Sequence, residues 1–392
     1  MSPVSLAAAA RQAGVSPATL RRWVERGLVP LPGDGWTPAA VAQARVVARL
    51  RDRGHSLAQI RRAAGSGRLS YGYVEDLLPS PGGTTTLAQA AHATGLEPAL
   101  IERIYTLIGL PSRSLEQLDD EDVELLRRIA AVLAAGFPLV AFLQLIRVYG
   151  QALAQMADAT VKLFHLYVHE PLIRDGVPEL QMAEEMEELA RDLLPQAAPI
   201  MERLHQRFLQ HFVEQDVVGH IEADADAEVL DLGRLRVAIA FADLAGYTRM
   251  TEEAGEEEAL DAVERFIEAV GNTLPDDARI IKTIGDEVMV VGSDPSALCD
   301  WAVGFQVLVQ ERPLPRIGIH HGATLYRDGD YYGRAVNLAA RVAARAAGGE
   351  VLVTRPVVEA AGRHLEFEHI GEVKLKGFNA PTELFLAGLG DA

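Results

Sequence analysis

Seven polar residues, scattered over 130 positions of the 392-residue chain, carry side chains that together suit a nucleotide polyphosphate. Asp243 ends a largely apolar stretch, Leu235–Ala242, and Asp286 follows Gly285 between two further apolar runs. Two carboxylates with oxygen-only ligation suit Mg²⁺ or Mn²⁺, with phosphate and water completing the shell. Backbone N–H groups of Leu244, Ala245, Gly246, Tyr247 and Thr248, at the start of a helix, are placed to face phosphates. Asn337 and Arg341 stand four apart, on one face of a helix, where such a pair can hold a ribose and neutralise charge at a phosphorus centre. Lys282 and Asp330 offer one donor and one acceptor, matching the N1 and N6 edge of adenine. Lys374 adds a mobile positive group.

The elements that must position these groups read as an α+β domain. Residues 278–291 form a hairpin, with Ile280–Ile281 and Val288–Val291 flanking Gly285-Asp286. An isolated Gly-Asp-Glu is an ordinary solvated turn; residues far away in sequence give it its interest. Leu235–Asp243 reads as a buried strand and 252–274 as one long helix. A helix at 295–309 contains the lone Cys299, expected to be a small core residue. A strand at 316–322, a helix entered at Asp330–Arg341, and short strands at 351–353, 365–374 and 383–387 complete a β-α-β-β-α-β core with additions, a ferredoxin-like arrangement.

Residues 235–387 resemble the class III nucleotidyl cyclase catalytic domain. Asp243 and Asp286 match its metal aspartates, with the Leu244 carbonyl beside them. Lys282 and Asp330 match its adenine-selecting pair, Asn337 and Arg341 its transition-state pair, and Lys374 its triphosphate lysine. The resemblance implies an adenylate cyclase: ATP bound with two Mg²⁺ or Mn²⁺ ions per site, in-line attack of the ribose 3′-oxygen on the α-phosphorus, and loss of pyrophosphate. A guanylate enzyme usually carries Glu and a smaller group where Lys282 and Asp330 stand. The family builds its sites between two catalytic domains, so a full set in one chain implies a head-to-tail homodimer with two shared sites. The stretch between His321 and Asp330 is shorter than in longer family versions, which bears on dimer-arm contacts.

The rest of the chain is of another kind. The whole carries a net charge of −18, yet residues 1–70 hold eleven Arg, no Lys and three acidic residues, a net of +8. A basic module on an acidic body points to a polyanion partner for that module alone. Residues 5–65 give a helix ended by Gly14, a second helix capped by Ser16 with Pro17 at its first position, and two more from Thr37 and Ser56. This layout resembles the MerR family of winged helix-turn-helix regulators, with Arg21, Arg22 and Trp23 as the candidate DNA-contacting residues. The 31–36 wing is short and lacks the basic residues such wings often carry. A protein-interaction use of the same fold stands beside DNA binding.

Leu87–Pro98 repeats Leu6–Pro17 at an offset of 81, and Gly109-Leu110, Val123, Gly136 and Leu139 match Gly27-Leu28, Val41, Gly54 and Leu57 at 82. Both units are therefore expected to be small helical bundles. Residues 86–150 carry five Arg against eight acidic residues, a surface that repels phosphate. Its apolar stretch from 129 to 146 suggests packing on a partner helix or a second subunit. Residues 150–218 read as all-helical. There His165 and His169, spaced i, i+4, are satisfied or solvent-facing histidines, a pH-responsive cluster, or part of a metal or cofactor site.

These readings divide the chain into a MerR-like helix-turn-helix (1–70), an acidic helical repeat of it (84–150), a helical coupling region (151–227) and the catalytic domain (228–392). The segments 66–83 and 222–228 read as a linker and a hinge. No apolar run is long enough to span a bilayer, and no signal peptide is evident, so a cytoplasmic protein without membrane contact is expected. Two functions follow: an adenylate cyclase governed by its helical modules, or a DNA-binding transcription regulator that uses a cyclase-like domain to sense nucleotide.

Overall fold

The computed structural model describes residues 4–31, 35–66, 69, 83–110, 112–222, 234–309, 311–362 and 364–390. Most of the expected linker and hinge, and residues 32–34 of the wing, lie outside them. Contacts divide the chain into two units, residues 1–207 and 208–392.

The first unit opens with α1 (Leu6–Gln12), α2 (Pro17–Glu25), α3 (Pro38–Asp52) and α4 (Leu57–Ala64). Ser5, Ser16, Thr37 and Ser56 cap them, each side chain accepting an N–H of the first turn. Leu20, Trp23, Leu28, Val41, Val47 and Ile60 form a common core. The order then recurs as α5 (Leu87–Thr94), α6 (Pro98–Ile108), α7 (Asp120–Ala134) and α8 (Leu139–Phe164) around Ile101, Ile104, Leu126 and Phe142. Each set carries one isolated antiparallel bridge, Val4 to Trp36 and Thr85 to Leu118, so the repeat extends to a contact that no capping residue announces. A π-helical turn, His165–His169, leads to α9 (Glu170–Arg174) and α10 (Glu179–Glu222).

The second unit is built on one sheet: β1 (Arg234–Leu244), β2 (Ala278–Ile284), β3 (Glu287–Gly292), β4 (Pro315–Arg327), β5 (Asp330–Tyr332), β6 (Val351–Thr354), β7 (Leu365–Val373) and β8 (Thr382–Leu389). The strand order is β2-β3-β1-β4-β6-β8-β7, with β5 on β4. Its first four strands are antiparallel, in the order expected of a ferredoxin-like core. Even-numbered β1 residues Ala238, Ala240 and Ala242 pack in the core with Phe266 of α12 (Glu256–Thr273) and with Leu298, Cys299 and Phe305 of α13 (Pro295–Leu308). Odd-numbered Val237, Ile239 and Phe241 pack with Ala335, Ala339 and Ala343 of α14 (Arg334–Ala343). A short α15 (Arg355–Ala360) follows β6.

Three expectations need correction. The single helix at 252–274 is two, α11 (Tyr247–Ala254) and α12, broken at Gly255. Gly255 holds φ 100°, where side chains are strained, and Glu256, Glu257 and Glu258 then start a new helix at its positive end. The strand expected to stop near 322 runs to Arg327 and returns through Asp328-Gly329, both at positive φ, into β5. That Asp-Gly pair is a two-residue hairpin signal legible in the sequence. Trp23 is 5% exposed and part of the first core, so it cannot reach a groove; Arg21 and Arg22 remain exposed.

Candidate active site

The site grows from one end of the sheet. Asp243, on the α14 face of β1, has Glu287 of β3 and Arg316 of β4 as its register partners. Paired residues of antiparallel strands point to the same side, so the three make one polar row. Asp243 is 9% exposed and accepts from Arg316 through Nε at 2.8 Å and through Nη2. Asp286, in the β2–β3 turn, lies within hydrogen-bonding reach of Asp243. Burial, that contact and the charge of Asp243 push the Asp286 carboxyl up to about 6, with Arg316 pulling the other way. Glu287 is raised by burial and then by Asp243, against Arg316 and Arg341.

A carboxyl pushed up by burial and by a neighbouring carboxylate is one whose charge a hard cation would relieve. Among the described residues no group of three or more His, Cys, Asp or Glu gathers for a metal. A pair of carboxylates suits a hard ion that takes one or two of them and completes its shell with phosphate, carbonyl and water.

A bulge makes the second half of the site. The β2–β3 register runs Ile280 to Val290 and then Lys282 to Met289, leaving Ile281 extra. Without it Lys282 would alternate to the face of Ile280, beside α12 and α13. The extra residue turns it to the face of Met289, where β5 lies. There Lys282 Nζ donates to Asp330 Oδ2, while Asp330 Oδ1 accepts from the Tyr331 N–H at 2.8 Å. Two residues 48 apart in sequence are thus joined.

Asn337 and Arg341 are both exposed on α14, opposite Leu338, Ala339, Val342 and Ala343, which are buried. Gly318 sets the height of that helix: a Cβ there would stand 2.0 Å from the Ala343 nitrogen. Lys374 is exposed just beyond β7, next to buried Leu375.

The phosphate loop is partly corrected. The Ala245 N–H donates to the Leu314 carbonyl at 3.0 Å, so it does not face a phosphate. That leaves Leu244, Gly246, Tyr247 and Thr248, the last three preceding the first intrahelical bond of α11, from Met250 to Gly246. Ala245 and Gly246 also line a cavity of about 550 Å³ with Arg249, Arg312 and Gly348. In the first unit the π turn brings the His165 and His169 Nδ1 atoms to 2.9 Å, with His169 fully buried. Arg316 escaped the sequence reading; the Arg-Ile-Gly-Ile-His pattern marks a strand, but its register against Asp243 is a tertiary fact.

An antiparallel ferredoxin-like core with a carboxylate pair at one sheet end and a cross-strand Lys–Asp pair defines a nucleotidyl cyclase catalytic domain. Residues 234–388 match the adenylate and guanylate cyclase catalytic domain, and residues 33–213 match the adenylate cyclase regulatory domain. An uncharacterized protein of Mycobacterium tuberculosis is 30% identical over 360 residues, spanning 88% of this chain and 89% of its own length. An adenylate cyclase of Streptomyces coelicolor is 30% identical over 281 residues, spanning 69% and 70%. A pH-sensitive adenylate cyclase of M. tuberculosis is 28% identical over 307 residues, spanning 74% and 75%. The chain belongs to the class III adenylate cyclases that join this catalytic domain to an adenylate cyclase regulatory domain. Among the described residues no helix is long and apolar enough to cross a membrane.

Proposed function

We propose that the chain converts ATP to 3′,5′-cyclic AMP and pyrophosphate. The observation that carries the choice of ATP is the Lys282–Asp330 pair, which presents a donor beside an acceptor for adenine. Asp243 and Asp286, with the Leu244 carbonyl, would hold two divalent ions. When bound, such ions acidify the attacking 3′-hydroxyl and clamp the reacting oxygens. Asn337 orients the ribose, and Arg341 stabilises charge at the α-phosphorus. Lys374 and the N–H groups of Gly246, Tyr247 and Thr248 hold the triphosphate. Each site is shared in a homodimer, metals from one subunit and base-reading residues from the other. The four-part division at 1–70, 84–150, 151–227 and 228–392 supplies regulation from the helical parts.

The test is cyclic AMP formation from ATP by the full chain with Mg²⁺ or Mn²⁺. Asp286→Ala and Arg341→Ala are expected to lower the rate by about 10²-fold or more without loss of fold. A folded chain that makes no cyclic AMP with either metal would leave the nucleotide-sensor reading in its place.

The contact of His165 with buried His169, together with a relative named pH-sensitive, favours a pH response in the helical region. An unchanged pH–activity profile in the doubly substituted protein would remove it. Exposed Arg21 and Arg22 on the +8 module favour contact with DNA or another polyanion, read by a salt-dependent electrophoretic shift.

A further inference from the structure

Beside the Lys282–Asp330 pair runs a second cross-link between the same two strands. Arg279 Nη2 donates to the Tyr331 hydroxyl at 2.9 Å. Arg279 pairs with Val291 in the register, so it faces α14; Lys282 reaches the same face only because Ile281 is bulged out. Residues 279 and 282 of β2 thus hold residues 331 and 330 of β5, one rung each.

The two rungs are linked through the backbone. Tyr331 is 4% exposed, with its ring edge-on to Tyr326 at 5.1 Å. Its N–H holds Asp330 Oδ1, which leaves Oδ2 for Lys282. Whatever fixes Tyr331 therefore fixes the Asp330 carboxylate. Arg279 is itself held: its guanidinium lies 5.3 Å from the centroid of the Phe212 ring, near the end of α10. Three residues further along α10, Gln215 Nε2 donates to the Asp276 carbonyl just before β2. Phe212 lies within the segment matched to the regulatory domain, and within the second unit.

We infer that Arg279 is a positioning residue for adenine selection: it locks Tyr331, and through it the Asp330 carboxylate, while Phe212 seats Arg279. The inference rests on the reading of Lys282 and Asp330 as the adenine-contacting pair. It adds a residue that touches no substrate and gives α10 a route to substrate preference.

The experiment measures KM and kcat for ATP and for GTP, with Mn²⁺, on the full chain and on Tyr331→Phe, Arg279→Ala, Arg279→Lys, Phe212→Leu and Lys282→Ala. Thermal melting monitors fold in each. Tyr331→Phe removes only the hydroxyl, so it stays informative where Arg279→Ala fails to fold. Tyr331→Phe and Arg279→Ala are expected to raise KM for ATP by about three- to tenfold and to narrow the ATP-over-GTP preference by a similar factor, with kcat at saturating ATP little changed. Arg279→Lys restores part of the loss, and Phe212→Leu moves the preference in the same direction by less. A lost structural support alone would lower melting temperature and leave the ATP-to-GTP ratio where it was. If Lys282→Ala narrows the preference while folded Tyr331→Phe and Arg279→Ala keep wild-type KM and preference, the role given to Arg279 is overturned. If Lys282→Ala itself leaves the preference intact, the adenine-pair reading fails, and the inference falls with it.

Discussion

His320 shows how one side chain sets an acid limit. It lies on β4, mostly buried, with Nδ1 2.8 Å from the Thr354 hydroxyl. Burial, then the positive neighbours His321, Arg334 and Arg236, bring its pKa down to about 4 from 6.5. The folded state therefore refuses a proton that the unfolded chain accepts between those values. Its contribution is fully present above pH 6.5 and is lost as pH falls towards 4. One proton sets a slope of at most about 1.4 kcal/mol per pH unit. His320→Gln is expected to flatten stability between pH 4 and 6.5, measured by urea unfolding at several pH values. A slope equal to that of the parent would show that His320 is not the group responsible. The residue scale also explains Arg316. The sequence places it in a strand; only the β1–β4 register sets it against Asp243.

At the scale of elements, α14 carries Asn337 and Arg341, and Gly318 fixes how closely it lies on β4. The contact is backbone to side-chain position, 2.0 Å from Ala343 N and 2.5 Å from its Cα, so no rotamer can relieve an added methyl. Gly318→Ala must lift or tilt the helix. The expected cost is about 1–3 kcal/mol, read as a drop of several degrees in melting temperature. Activity is expected to fall by more than the lost folded fraction explains, because both exposed side chains move with the helix. Wild-type melting and wild-type activity together would contradict this account. Elements were also where the sequence was most and least legible. Caps such as Ser16 and Thr37, the Gly285-Asp286 turn and the offset repeat are local or self-similar, so they can be read directly. The bulge at Ile281 and the break at Gly255 are not. Both leave an apolar pattern that continues plausibly through them, and tertiary packing decides where the extra residue goes. That one bulge decides whether Lys282 meets Asp330 at all.

At the scale of the whole molecule the question is how many chains make one site. Asp286 sits in the turn of the β2–β3 hairpin and Lys282 two residues before its end, on a face chosen by the bulge. On the proposed reading one hairpin serves metals through its tip and adenine through its flank. In the proposed head-to-tail dimer those two services would go to different sites, each site taking its carboxylates from one subunit and its base-reading and transition-state residues from the other. A chain with Asp286→Ala damages only the carboxylate half of the sites it enters. A chain with Asn337→Ala damages only the other half. Each variant alone is expected to be nearly inactive. Mixed and allowed to exchange, half of the dimers are heterodimers at random pairing, and each heterodimer holds one intact site and one doubly damaged site. Recovery of about a quarter of the wild-type rate per chain is therefore expected, measured as cyclic AMP formed at equal total protein. The double variant in one chain, mixed with wild type, supplies the control: its heterodimers hold two singly damaged sites, so exchange is expected to lower the mixture from about half of the wild-type rate per chain to about a quarter. No recovery in the first mixture, with subunit exchange confirmed by differently tagged chains, would show that each chain builds its own site.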